Sequence, residues 1–431
     1  MDSSDKKKKG LEGWLALSPL LVFLAIFLVT SLFTKDFYSV PVSSAFLLAS
    51  IYAVITTKGK IKEKIEIFSK GAGNGNVLLM IWIFIMAGAF AATAKSIGSI
   101  EATVNLALRI LPGKLLLAGL FLAGCLISMS IGTSVGTIVA LMPIAAGIAE
   151  QSSLSVPMIA AIVVGGAFFG DNLAFISDTT IAATTTQGCN MADKFKTNIW
   201  IAGPAALIVA AIYVFIGFGT EVNPGIGEIS IIKLIPYISV IVMAICGINV
   251  LVVLTSGLAM CAVIGLADGL TWSALLGSIG DGIAGMGDLI IVTMLAGGML
   301  EIIRSNGGID FIVRNLTRRI KGRKGAEFSI AALAGLSNLC TANNTIAILT
   351  VGNIAKEIAG RYGIEPKKAA SLLDTFSCIV QGMIPYGAQL LMASSLAGIS
   401  ATQIIPWLIY PTALLVVSVL SILFNFPTKK V

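Results

Sequence analysis

GGAFFGDNLAFISDTT, residues 165–180, places two carboxylates, Asp171 and Asp178, inside an apolar run long enough to span a bilayer. An ionisable side chain at bilayer depth is costly, and marks a site for an ion or a proton. The bland alternative is that both acids cap helix ends at a surface, a position that suits Asp and Ser. Gly165, Gly166 and Gly170 precede the first acid, and Ser177, Thr179 and Thr180 surround the second. Such flanks favour a helix broken mid-membrane, with freed backbone groups facing a ligand.

The rest of the chain supplies the membrane. Of 431 residues, 56% are hydrophobic and 12% charged, where a soluble domain carries about 25% charged residues. Apolar runs near span length recur without the alternation of an outer-membrane barrel, so soluble and barrel classes are excluded. The six cysteines lack paired spacing and read as small core residues, with no disulfide or metal framework. There is no histidine, so proton chemistry falls to carboxylates. Lys6–Lys9 and the apolar run after them form an uncleaved first span, too long for a signal peptide.

Spans are expected at 14–33, 38–56, 76–95, 156–187, 197–217, 231–246, 248–267, 287–304, 369–395 and 404–424. Two longer apolar stretches, 115–149 and 326–358, are interrupted by SMSIGTSVGT and SNLCTANNT, and read as re-entrant hairpins with polar tips; pairs of short full spans are the alternative. Gly88 and Gly297, Gly98 and Gly307, and Pro157 and Pro366 are each 209 residues apart, and Thr137 and Thr345 are 208 apart. One offset held across four landmarks makes the chain two copies of one unit. Five spans per unit is odd, so the second copy is inverted. The expected fold is therefore an all-α polytopic membrane protein of two inverted repeats, each with five transmembrane helices and one re-entrant hairpin, and with broken helices at the midplane. The expected divisions are a cytoplasmic tail (1–13), the first repeat (14–217), an external linker (218–230), the second repeat (231–425) and a second cytoplasmic tail (426–431). All but Lys35, Lys95, Arg109, Lys114 and Lys233 of the 29 basic residues then fall in cytoplasmic segments, Lys194 and Lys368 included. That charge contacts water and lipid headgroups and needs no nucleic acid. The stretches 96–111 and 307–320 are amphipathic and expected along the membrane surfaces.

Broken helices in inverted repeats meet at a midplane site. The first repeat offers Asp171, Asn172, Ser177, Asp178 and Thr179, with Ser130, Thr133, Ser134 and Thr137 at its hairpin tip. The second offers Asp374, Thr375, Gln381, Tyr386 and Gln389 around a break at Gly382, Pro385 and Gly387, with Asn338, Thr341, Asn343, Asn344 and Thr345 at its tip. These oxygen-bearing groups suit a hard cation. No Lys or Arg lies within 115–193 or 369–427, which disfavours an anion. Interhelical hydrogen bonding is the ordinary role of such hydroxyls and amides.

FGDNLAFISDTT, residues 169–180, resembles the signature of the NhaC family of sodium/proton antiporters, through Phe169-Gly170-Asp171 and Ser177-Asp178-Thr179. LLDTFSCIVQGMIPYG, residues 372–387, resembles that family's later motif through Asp374, Ile384 and Pro385. Ala174-Phe175, Gly382 and Tyr386 stand where the family commonly has Ser-Pro, Pro and Trp. The resemblance implies a multi-pass transporter of the cell membrane, without enzymatic activity or cofactor, working as a homodimer. Na+ and H+ would exchange on Asp171 and Asp178, with Asp374 in support. Na+-coupled carriage of an amino acid or carboxylate is the alternative, with the tips holding the solute. An intramembrane aspartyl protease is disfavoured, because FFGD lacks the required Gly-x-Gly-Asp.

Overall fold

The computed structural model describes residues 13–26, 42–57, 59–110, 113–152, 154–174, 177–218, 229–317 and 320–427. Most of both terminal tails, most of the 218–230 linker, and Phe175 therefore lie outside the described residues. Among those described, every regular element is helical. The first half gives α1 (Gly13–Ile26), α2 (Val42–Thr56), α3 (Ile61–Ala72), α4 (Gly75–Ser96), α5 (Ser99–Ile110), α6 (Gly113–Ile131), α7 (Ser134–Glu150), α8 (Val156–Leu173), α9 (Asp178–Gln187) and α10 (Met191–Gly217). The second gives α11 (Ile231–Ile245), α12 (Val250–Ala267), α13 (Trp272–Gly285), α14 (Gly287–Ser305), α15 (Gly308–Thr317), α16 (Gly322–Thr341), α17 (Asn344–Arg361), α18 (Pro366–Gln381), α19 (Ala388–Ala397), α20 (Ala401–Ile404) and, after a 3-10 turn, α21 (Ile409–Leu423).

Among the described residues, six helical segments are long and apolar enough to cross a membrane, and a bent pair at α19 and α20 brings the number to seven. This is a multi-pass membrane protein. Both expected interruptions are present: α8 gives way to α9 after Leu173, and α18 to α19 across residues 382–387. Pro157 and Pro366 stand in the first turns of α8 and α18, where a missing N–H costs nothing.

Two segments read as loops are helices. α3 carries the lysines of the first basic segment, and its Gly71 packs on α14, where an added Cβ would lie 2.4 Å from the Gly297 carbonyl oxygen. α13 occupies residues expected in an external loop around Asp268 and Asp281. Gly277, Gly280, Gly282 and Gly285 lower its helix propensity, yet Gly282 is where the backbone of α4 approaches at Gly88.

Helix boundaries recur between the halves. α6 and α16 begin at Gly113 and Gly322, 209 residues apart, and their hairpins turn at Gly132-Thr133 and Ala342-Asn343, 210 apart. By their helix starts Ser134 stands against Asn344, whereas the sequence offset sets Thr137 against Thr345. Gly132 takes a left-handed φ of 73°, and Ala342 takes 47° at the same place. A left-handed alanine costs about 1–2 kcal/mol, part of which glycine returns as chain entropy. Ala342→Gly should therefore raise the melting temperature in detergent, by about 0.5–1 kcal/mol in stability, and Gly132→Ala should lower it.

Contacts divide the chain into two compact units, and neither is a sequence half. One comprises Met1–Ile81, Ala182–Cys189 and Asp288–Ala388; the other comprises Trp82–Ile181, Asn190–Gly287 and Gln389–Val431. In the first, the α16–α17 hairpin packs with α18 and α15, and Phe23 of α1 stacks on Phe46 of α2, ring centroids 4.2 Å apart. Gln187, from the end of α9, donates to the Gly352 carbonyl of α17 at 2.8 Å. In the second, the α6–α7 hairpin encloses α8, with α10, α21 and α11 around them. The backbones of α6 and α8 meet through Gly124, Gly166 and Gly170, the small-residue contact that lets membrane helices approach closely.

Candidate functional site

The sequence ends α8 one residue after Asn172 and leaves helical geometry at Ala174, so Asp171 lies in its last turn. The side chain is 5% exposed, and hydroxyls from two other segments reach it. Ser134 Oγ, on the first residue of α7, donates to Oδ2 at 2.7 Å. Ser177 Oγ, just beyond the break, donates to Oδ1 at 3.4 Å. The Ser177 and Thr179 hydroxyls are 2.8 Å apart, and Thr179 Oγ1 donates to the Asp171 carbonyl at 3.1 Å. Gln389 Nε2, from α19, donates to Ser134 Oγ at 3.0 Å. The carboxylate thus sits against the N-terminal end of α7, where the helix dipole favours negative charge. Every residue of this group belongs to the second compact unit.

Asp178 is placed differently. It is exposed and begins α9, where an acid in the first turn favours the helix. Of the two acids that open the motif, the structure buries only Asp171. Thr137 is buried, but its hydroxyl returns to the Thr133 carbonyl of its own helix at 3.1 Å, and Thr133 serves as the residue before α7.

Lys194 is the main departure from expectation. Expected as a loop charge, it is 0% exposed, and its Nζ donates to the Asn172 carbonyl at 2.5 Å and to Thr180 Oγ1 at 2.8 Å. Asn198, one turn along α10, donates to the same carbonyl at 3.1 Å and to Asn172 Oδ1 at 2.7 Å. The cause is that α10 begins at Met191, not at 197, so the lysine belongs to the helix and faces inward. A signal existed: Asn190 and Asp193 mark a helix start, and Lys194 and Asn198, four residues apart, share a face. Lys368, also expected in a loop, is 1% exposed on the first turn of α18.

The first unit gathers the second-half candidates other than Gln389. Asp374 is fully buried on α18, with Cys378 Sγ 3.6 Å from its Oδ1 and Ser377 Oγ donating to its backbone carbonyl at 2.9 Å. Thr375 is buried beside it. Asn338 reaches the Ser377 carbonyl at 2.7 Å, and Asn344 Nδ2 lies 4.0 Å from Cys378 Sγ. Asn343 caps α17 through the Ile346 N–H at 3.0 Å, and the Thr345 N–H donates to Asn344 Oδ1 at 3.1 Å. Gln381 and Tyr386 brace the tip, donating to the carbonyls of Ala342 at 3.0 Å and Leu339 at 2.8 Å. The Tyr386 ring stands edge-on to Phe23 and Phe46, each 5.4 Å away. Here amides and a tyrosine hold the hairpin, whereas the Asp171 group presents hydroxyls to a carboxylate.

Among the described residues, no group of three or more His, Cys, Asp or Glu is placed to hold a metal. A cation at Asp171 would take hydroxyl and carbonyl oxygens besides the carboxylate, the ligand set of a hard ion. The second unit also holds a cavity of about 370 Å³, walled by Gly88, Ala92 and Gly282 and edged by Lys95, Glu101 and Glu150.

The chain is 21% identical to the malate-2H+/Na+-lactate antiporter of Bacillus subtilis over 433 aligned residues, covering 90% of each chain. It is 25% identical to the Na+/H+ antiporter NhaC of Alkalihalophilus pseudofirmus, over 64% of this chain and 66% of that one. The YdaH transporter of Alcanivorax borkumensis aligns at a TM-score of 0.40 and 16% identity, covering 84% of this chain and 88% of that one. The profile of the Na+/H+ antiporter family matches residues 13–218 and 224–426, and the chain belongs to that family.

Proposed function

We propose that Asp171 is the group on which Na+ and H+ compete in this Na+/H+ antiporter. The observation that carries the proposal is a buried carboxylate ringed by hydroxyls at the end of a broken helix. A carboxylate removed from water needs a neutralising partner, and a proton or a sodium ion can each serve, but not together. Competition of this kind couples opposed fluxes once the site opens to each side in turn. Alternating access would come from two inverted repeats of five spans and a re-entrant hairpin each, with both tails in the cytoplasm and the chains paired as a homodimer in the cell membrane. Asp178, exposed at the start of α9, would attract cations toward the site, and Asp374 would support exchange from the second half.

The test is proton movement driven by an imposed Na+ gradient in proteoliposomes. Half-saturation by Na+ should rise about tenfold for each unit of falling pH in the competitive range, as for one ligand displacing another at one site. A half-saturation independent of pH would overturn the proposal.

A second reading is favoured by the malate- and lactate-exchanging relative, matched over nine tenths of both chains. The cavity of about 370 Å³ is within the size range of small-molecule sites, and its lining carries Lys95 as the one basic group beside two acids, Glu101 and Glu150. Malate or lactate uptake that depends on Na+ would establish this activity. Na+/H+ exchange at full rate without either solute would confine the protein to cations.

A further inference from the structure

The last turn of an α-helix leaves carbonyls without helical partners, and a cation suits that end. In α8 each of these carbonyls that follows Phe169 up to Asn172 is already engaged. Gly170 receives the Ala174 N–H at 2.6 Å, Asp171 receives Thr179 Oγ1, and Asn172 receives Lys194 Nζ and Asn198 Nδ2. The ammonium is 0% exposed and also holds the Thr180 hydroxyl. A helix-terminal carbonyl, a hydroxyl and a nearby amide oxygen are what Na+ takes when it binds a broken helix. Lys194 fills that place with its own charge, on the residue next to Asp171. A buried ammonium is tolerated only where such partners surround it.

We propose that Lys194 is a resident cation: it occupies the carbonyl end of α8 and so limits this site to one exchangeable Na+, the one at Asp171. The inference rests on the assignment of exchange to Asp171. With Lys194 charged, Asp171 and Lys194 together are neutral when the site is empty and carry one positive charge when Na+ or H+ is bound. A second Na+ would enter against that charge and would find its oxygens taken. Removing the ammonium takes one donor from the Asn172 carbonyl, which keeps Asn198, and one from the Thr180 hydroxyl, and it removes a positive charge held on the residue next to Asp171.

The test is the order of Na+ dependence of exchange in proteoliposomes, for the full-length wild type, Lys194→Met, Lys194→Gln and Lys194→Arg. The wild type and Lys194→Arg should show a Hill coefficient of about 1, and Lys194→Met and Lys194→Gln a value rising toward 2. Half-saturation by Na+ should fall about tenfold in the two neutral variants, because a repelling charge is gone. A lysine that merely braced the fold would change the rate and leave the order alone. A Hill coefficient of about 1 with unchanged half-saturation in Lys194→Met or Lys194→Gln would overturn the proposal. Should neither neutral variant reach the membrane, equilibrium binding of radioactive sodium to the wild type decides: one ion per chain is expected, and two would overturn it. An Asp171→Asn arm separates the two ideas. If that variant still exchanges, the assignment to Asp171 fails; if it is inactive while the Lys194 variants keep wild-type order, only the resident cation fails.

Discussion

Asp171→Asn should abolish Na+-coupled proton movement in proteoliposomes, by at least about a hundredfold, since a charge-assisted contact of about 3 kcal/mol corresponds to that factor. The substitution keeps the size of the side chain, and the amide oxygen can still accept from Ser134, which donates to Oδ2 at 2.7 Å in the wild type. Folding should therefore survive, and the amide should bind neither a proton nor Na+ usefully. Asp178→Asn is the contrasting case. Its carboxylate is exposed at the start of α9, so its loss should raise half-saturation by a few fold and leave the maximal rate near normal, about the worth of one screened surface charge. Equal loss in both variants would mean that Asp178 shares the exchange directly, as the motif alone implied. Monitoring internal pH under a sodium gradient reads both variants in one assay.

Gly170→Val should be strongly damaging in the apolar interior of the second unit. A Cβ at Gly170 would lie 2.3 Å from the Ser128 carbonyl carbon and also from its Cβ and Oγ. Since backbone is among the colliding atoms, no change of rotamer resolves the overlap. α8 would have to move away from α6, losing the bond from Ser128 Oγ to the Ala167 carbonyl at 2.5 Å. Because Asp171 is the next residue, its contact with Ser134 would go too. Overpacking of this kind costs about 1–3 kcal/mol or more, so the variant should melt lower in detergent and transport poorly. Gly280→Ala on α13 is the control: nothing stands within 4 Å of its added Cβ, and stability should hold or rise by up to about 1 kcal/mol, the gain in helix propensity.

How much of this was legible in the sequence depended on where polar atoms stood. Serine, threonine, asparagine and aspartate inside apolar runs stand out against their surroundings, so both hairpins, both breaks and the hydroxyls at Asp171 could be read directly. A dense block of charge hides helix as readily as loop, which concealed α3, and repeated glycine concealed α13. The fate of a charge at the edge of an apolar run is harder still. Lys194 lies one residue beyond a stretch without basic residues, and its long stem lets it turn either to water or inward. Only the start of α10 at Met191 decides the direction. Asp178 shows the reverse, since an acid within an apolar motif ended at a surface.

The bond between Gln389 and Ser134 spans 255 residues of sequence, and Ala182–Cys189 belongs to a compact unit otherwise built from distant parts of the chain. At a synthesis rate of about 5–20 residues per second, Ser134 exists for about 13–50 s before its partner is made. For most of that interval Asp171, made 37 residues after Ser134, is present while the group that orients Ser134 is not. The site is therefore among the last features of the protein to mature, and a ribosome that stalls before α19 leaves behind a carboxylate in an unfinished pocket.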